Sequence, residues 1–538
     1  MSTEPRAIAA VDSGTASVAV SLLGCIAGRW RLLASGAAPA VVDAGTVIER
    51  LRGRLAATDP ECARALGLDA AGSGADVPRT ACATTRPPEM AVVAATERVL
   101  APAAAAAATA GWRVRPVVLD GADILGVATI LSDPRISAVL AAASDPPGAD
   151  ERALLPDLGA LVSAATERRP GLVTVLAGGL AEPGGRIEAL FRPDRPGPTV
   201  LAPSAAVADG EALRELLDSL RGGEDDGRRS LAVATATLAD VLGRRVEVVE
   251  VGQSAGVRTI AGWTAGRPSV ARSAVAPAAA LLPPAFTDAH LDAIIGWLTV
   301  PMDRLRVRDR LRELALSPWG DGAGDGALLR LAAARAALVR LLEATPSLDA
   351  LPAPDLLIAA GGAWGVAPGP AVALALADAV RRPGVRALGW DHARLLGPLG
   401  TIADADERHR VIRDLRDDLV VPLGTVVMPA GLRASRGAGH LSVRSADGSG
   451  EPAELDLVPG GLELVDLPPG ERAVIELRFR EAVELGVRTR HAAAEVTGGL
   501  GGLLVDLRDV PLRLPARPER RRDLLAAWQL ALWPGVEA

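Results

Sequence analysis

Asp12 stands near the end of the apolar run IAAV, and Ser13-Gly14-Thr15-Ala16-Ser17 separates it from a second apolar run. A phosphate needs several backbone N–H donors pointing one way, and a hairpin of small residues offers them with no side chain intervening. Gly14, Thr15, Ala16 and Ser17 meet that requirement. Asp12 beside them is the residue type that holds a hydrated Mg2+, a cation that takes carboxylate and water oxygens. Glu250, two residues before Gly252-Gln253-Ser254, repeats the arrangement of an acid at the mouth of a glycine hairpin. Further on, Gly361-Gly362-Ala363 follows the apolar run LLIAA and precedes the helical AVALALADAV. In such a context backbone approaches a ligand closely. Taken singly, each element reads as an ordinary turn at least as readily as a site. Taken together they suggest two hairpins on a phosphate chain, Asp12 and Glu250 as Mg2+ ligands, and the double glycine beneath a base and ribose.

The elements that must position these residues repeat. At an offset of 238 residues, Val11–Ser35 faces Val249–Ser273 without a gap, with seven of 25 positions identical. Asp12 then meets Glu250, and Gly14 meets Gly252. Composition explains part of the match, but the strand-turn-strand grammar agrees as well, which points to a duplicated lobe. IAAVD, SVAVSLL and RWRLLASG read as a three-strand meander. Helix and strand patterns then alternate: helix ERVLAPAAAAAATAG, strand VRPVVLD, helix SDPRISAVLAAAS, strands LVTVLAGG and TVLAPS, helix DGEALRELLDSLRG. That order predicts an α/β fold with a mixed sheet. From about Gly431 short alternating strands split by Gly/Pro turns predict a separate β-rich module, and DLLAAWQLALW at the end reads as a short amphipathic helix that caps a neighbouring surface.

Composition narrows the function classes. The net charge of −7, with both signs interspersed, supplies no basic patch for a phosphodiester backbone, so nucleic acid is not an expected partner. Lys, Asn and Tyr are absent, so no lysine serves as phosphate ligand or base. Cys25, Cys62 and Cys82 fall in no C-x-x-C spacing, which fits a reducing compartment better than a disulfide or zinc framework. The Ala-rich stretch from Val99 to Trp112 is shorter than a membrane span and reads as a buried helix. MSTEPRAIAAVDSG lacks the basic and long apolar regions of a secretion signal. A cytoplasmic protein with no membrane partner is expected. His392, in GWDHARLLG, is a lone histidine with no sequence partner and reads as structural.

The three glycine elements together resemble the phosphate-1, phosphate-2 and adenosine motifs of the superfamily of actin, the sugar kinases and the heat-shock ATPases (ASKHA). Within it the chain looks most like the glutamate mutase-associated MutL (GlmL) family. AVDSGTAS, SDPRISAVL, VTVLAGGLAEPGG, VEVGQSAG, GWLTVPMDRLRVRDRLRELAL, LLIAAGGAWGVAP, LLGPLGTIA and VVPLGTVVMPAG stand in the family's order. The resemblance implies two ribonuclease H-like lobes, an actin-like ATPase fold, closing over Mg-ATP, with lobes at 1–225 and 226–430, a sandwich-like β-rich module at 431–515 and a tail helix at 516–538. It also implies an ATP-dependent accessory protein, a chaperone or reactivating factor for an adenosylcobalamin-dependent mutase. Departures from the family pattern point to a weakened or lost ATPase. Val18-Ala19 stand where the first loop resembles threonine and lysine elsewhere, Glu250 and Gln253 alter the second loop, and Ala181 replaces an acid after the AGG segment. Two alternatives stay open. One is a small-molecule kinase of the same fold, for which Asp120 or Asp123 would be the base. The other is a non-catalytic scaffold with a degenerate nucleotide site.

Overall fold

The computed structural model describes residues 6–69, 77–84, 86–180, 199–202, 210–221, 226–282, 286–317, 323–432, 438–448 and 451–532. Ala181 lies outside them. The chain divides into two compact units, one made of Met1–Thr84, Asp226–Ser273 and Ala279–Ala538, the other of Thr85–Asp225 with Ala274–Ala278.

The larger unit begins with the meander read from the sequence. Strands β1 (Arg6–Ser13), β2 (Ser17–Ile26) and β3 (Arg29–Pro39) are joined by β4 (Arg79–Ala83) in the order β3-β2-β1-β4. The first two pairings are antiparallel, and β4 runs parallel to β1. The helix Ala44–Thr58, started by Asp43 accepting from the Gly45 N–H, presents Val47, Ile48, Leu51 and Leu55 at helical spacing to Ala9, Val11, Val20 and Leu22.

A second sheet repeats the plan. Strands β10 (Val246–Val251), β11 (Gly256–Ala261), β12 (Ala271–Ala276) and β13 (Leu356–Ala360) take the order β12-β11-β10-β13, and β14 (Gly384–Trp390) follows parallel to β13. β10 pairs antiparallel with β11 and parallel with β13. This is the ribonuclease H-like strand order, present twice, and it makes the chain an actin-like ATPase fold. The repeat keeps the sequence offset at single-residue precision. Asp12 lies opposite Ala19, and Glu250 opposite Val257. The Gly14 N–H donates to the Ser17 carbonyl at 2.9 Å, and the Gly252 N–H to the Ala255 carbonyl at 2.9 Å.

The second sheet continues through β15 (Val421–Met428) to two strands from the C-terminal region, β18 (Leu462–Val465) and β21 (Leu503–Asp506). The other C-terminal strands, β16 (Gly439–Ser445), β17 (Ala453–Leu457), β19 (Arg472–Glu484) and β20 (Arg488–Thr497), form an antiparallel sheet ordered β17-β16-β19-β20. Leu441, Ile475, Leu477 and Val496 of this sheet pack with Val427, Leu503 and Val505 of the larger one, a sandwich core. The helix Pro518–Leu532 lies against β18 and the helix Gly369–Ala379. Behind it, Asp378 accepts ion pairs from Arg508 at 2.8 Å and Arg335 at 3.2 Å. Arg508 also pairs with Asp506 at 2.7 Å and stacks over Trp528.

The smaller unit holds five parallel strands, β5 (Glu89–Ala94), β6 (Arg113–Val118), β7 (Ile136–Ala143), β8 (Val173–Gly178) and β9 (Thr199–Ala202), in the order β6-β5-β7-β8-β9. Two sequence expectations are corrected here. The sheet is parallel and doubly wound, not mixed. SDPRISAVLAAAS is not a helix; its second half is β7, flanked on both sides by parallel strands and buried from Ala138 to Ala143. A strand covered on both faces carries no alternation, so a run of alanines there is indistinguishable from a buried helix. Ala-rich Glu97–Thr109 is the helix expected, burying Val99, Leu100, Ala103, Ala106 and Ala107 against the sheet. Among the described residues no helix is long and apolar enough to cross a membrane.

Candidate functional site

The two acid-glycine hairpins sit at the carboxyl ends of β1 and β10, the equivalent central strands of the two sheets. Each turn is closed by its own glycine N–H and pinned from outside. Ala40 donates to the Ala16 carbonyl at 3.0 Å, Leu281 to Gly252 at 2.9 Å and Leu282 to Gln253 at 3.2 Å. Their tips meet, with Thr15 Oγ1 donating to Ser254 Oγ at 3.3 Å. The double glycine completes the enclosure. Gly361 has φ +90°, and a Cβ there would stand 2.5 Å from the Val251 carbonyl oxygen, so the strand end turns only with glycine. Gly362 faces the first hairpin instead: a Cβ would lie 3.6 Å from Ser17 Oγ.

These elements enclose a cavity of about 440 Å³. Gly14, Thr15, Ala16, Ser17, Glu250, Gly252, Gln253, Ser254, Gly361, Gly362 and Ala363 all line it. Its size falls in the range of small-ligand sites. Gln253 Oε1 is buried with no hydrogen-bond partner, an acceptor left for something the cavity would hold.

Asp12 does not line that cavity. It lies in an adjoining recess with Cys82, Glu250, Gly361, Asp391 and Arg394. Its Oδ2 accepts from Arg394 Nε at 2.5 Å, and its Oδ1 from the Cys82 thiol at 3.6 Å. Arg394 Nη1 also donates to Ser17 Oγ at 2.6 Å. A guanidinium already covers the Asp12 carboxylate. With its oxygens engaged by Arg394 and Cys82, Asp12 in this arrangement does not offer itself to a metal ion, while Glu250 stands at the cavity wall.

Arg394 and Asp391 went unnoticed in the sequence, although the segment GWDHARLLG drew attention through His392. That histidine lines the cavity with its ring edge against Trp390. The segment turns at the end of β14. The Asp391 carboxylate accepts the Leu395 and Leu396 N–H groups at 2.8 and 3.1 Å, and the Arg394 N–H donates to the Asp391 carbonyl at 3.3 Å. Ser21 Oγ donates to the Ala393 carbonyl at 3.3 Å and ties the segment to β2. Arg394 is held at φ +56°, rare for a residue with a side chain. Burial pushes the Asp391 carboxyl up to about 6, against the two N–H donors, and the nearby Asp12 charge adds to the rise. Burial, with the Asp12 and Glu250 charges, also raises the Cys82 thiol, which stays a neutral donor to Asp12. The only signal for Arg394 was an Asp-x-x-Arg pair just past a strand end, and nothing local linked it to Asp12.

No protein-family model matches the chain, and no curated protein matches it in sequence. Among solved structures, a nucleotide-free acetone carboxylase is 10% identical, with 84% of this chain and 80% of that one covered, at a TM-score of 0.29. Gluconate kinase from Lactobacillus acidophilus is 9% identical over 78% and 92% of the two chains, at 0.24. Component A of the (R)-2-hydroxyglutaryl-CoA dehydratase of Acidaminococcus fermentans is 9% identical over 75% and 98%, at 0.24. The actin-like fold rests on the strand order of the chain's own sheets.

Proposed function

We propose that the chain is an actin-like nucleotide-binding protein that holds ATP in the cavity between its two acid-glycine hairpins. We further propose that it acts as a MutL-type accessory factor, reactivating an adenosylcobalamin-dependent mutase, with weak or absent ATP hydrolysis. One observation carries the nucleotide reading. The duplicated hairpins, equivalent residue for residue, meet tip to tip across one cavity whose floor is the double glycine. Backbone N–H groups of small residues on facing hairpins suit a phosphate chain. Weak hydrolysis is supported by the Asp12–Arg394 pair, which leaves that carboxylate committed and not placed to activate water. The client protein rests on the family resemblance alone. Of the two candidate bases of the kinase alternative, Asp120 and Asp123, the second is spent capping the helix Ile124–Ser132 through the Leu125 and Gly126 N–H groups.

Thermal unfolding with ATP tests the nucleotide reading. A ligand at a hundredfold its Kd stabilises a protein by about 2.7 kcal/mol, so millimolar ATP raises the Tm measurably. Gly362→Leu, which fills the cavity from a position without backbone strain, abolishes the rise while leaving the Tm in buffer close to wild type. No rise at millimolar ATP overturns the reading and leaves the scaffold. For the client, the chain plus ATP restores turnover to an inactivated adenosylcobalamin-dependent mutase; failure to do so contradicts that half.

A further inference from the structure

We propose that Arg394 stands in for the divalent cation, so that the cavity takes its nucleotide as the metal-free polyphosphate anion; this rests on the nucleotide reading above. The guanidinium occupies the position between the strand-end acid and the phosphate hairpin. Nε holds Asp12 at 2.5 Å and Nη1 holds Ser17 Oγ at 2.6 Å. Nη2 is turned toward the hairpin glycine, 3.1 Å from where a Gly14 Cβ would be. Arg394 lines both the large cavity and the Asp12 recess, and it and Asp12 are only 13% and 14% exposed. A Mg2+ ion at Asp12 would have to break a buried charge-assisted pair and then sit beside the displaced cation. A fixed guanidinium meets phosphate oxygens directly and needs neither. The backbone is bent to deliver it: φ +56° at an arginine persists because Asp391 anchors the turn, its N–H on the Ala359 carbonyl and its carboxylate on the Leu395 and Leu396 N–H groups. Arg330 also lines the cavity.

Titration calorimetry of the full chain with ATP, in EDTA and in excess Mg2+, tests this. Binding in EDTA as tight as in Mg2+, within about threefold, is the expected result. Arg394→Gly, which suits the positive φ and so spares the backbone, weakens the EDTA affinity at least tenfold, and Mg2+ restores part of it through the freed Asp12. Asp12→Asn, which keeps an acceptor for Arg394 without the charge, binds ATP in EDTA within about threefold of wild type. Binding that requires Mg2+ in the wild type overturns the inference and leaves the nucleotide reading intact, as does an unchanged EDTA affinity in Arg394→Gly. A tenfold loss in Asp12→Asn confined to Mg2+ buffer also overturns it, and decides the matter should Arg394→Gly not fold. Absence of heat in both buffers overturns the nucleotide reading itself, and the inference with it.

Discussion

Asp391 is the residue whose protonation the fold shifts most usefully for a test. Its folded pKa of about 6 lies above the ordinary carboxyl value, so the folded state holds a proton that the unfolded chain releases. Stability from this group is therefore fully present below about pH 4 and is lost as the pH rises through 6. A shift of about two units corresponds to about 3 kcal/mol. Asp391→Asn is neutral throughout and keeps one acceptor for the Leu395 and Leu396 N–H groups. Between pH 4.5 and 7 the wild type should lose about 2 kcal/mol relative to it in urea unfolding, and parallel pH profiles would contradict the assignment. At this scale the sequence was legible where a residue had a duplicate. Gly14 and Gly252 were found through each other, and their hydrogen bonds proved identical. Arg394 had no duplicate, and its partner Asp12 is 382 residues away. Contacts of that range leave no local periodicity or spacing to read.

Among the elements, the helix Gly369–Ala379 leads away from the double glycine and is locked from behind by the Asp378 ion network. Asp378, Arg335 and Arg508 are each at most 3% exposed in their side chains. Burial lowers the Arg335 pKa, while Asp378 and Asp506 hold Arg508 above its ordinary value despite its burial. Asp378→Ala strands the Arg335 guanidinium away from water, while Arg508 keeps Asp506, and should cost about 3–5 kcal/mol. Equilibrium unfolding in guanidinium chloride reads this directly, and a loss under 1 kcal/mol would show the network to be dispensable. The meander and the β-rich C-terminal strands were legible because half-buried strands alternate and glycine turns punctuate them. β7 was not, because burial on both faces erases the alternation. Nor did the strand patterns of the C-terminal region reveal that β18 and β21 extend the second sheet, since edge addition is decided by partners far along the chain.

Across the whole molecule, a duplicated ribonuclease H-like plan brings its two hairpins to one cavity. The plan was visible in the sequence as an offset; the cavity and its arginine were visible only once the strands were paired. The most direct measurement is a crystal structure of the full chain with a non-hydrolysable ATP analogue. The phosphates are expected between Gly14–Ser17 and Gly252–Ser254, the base beside Gly361-Gly362-Ala363, and Arg394 in contact with phosphate oxygen. An analogue bound elsewhere, or a metal ion ligated by Asp12 with Arg394 turned away, would contradict this placement.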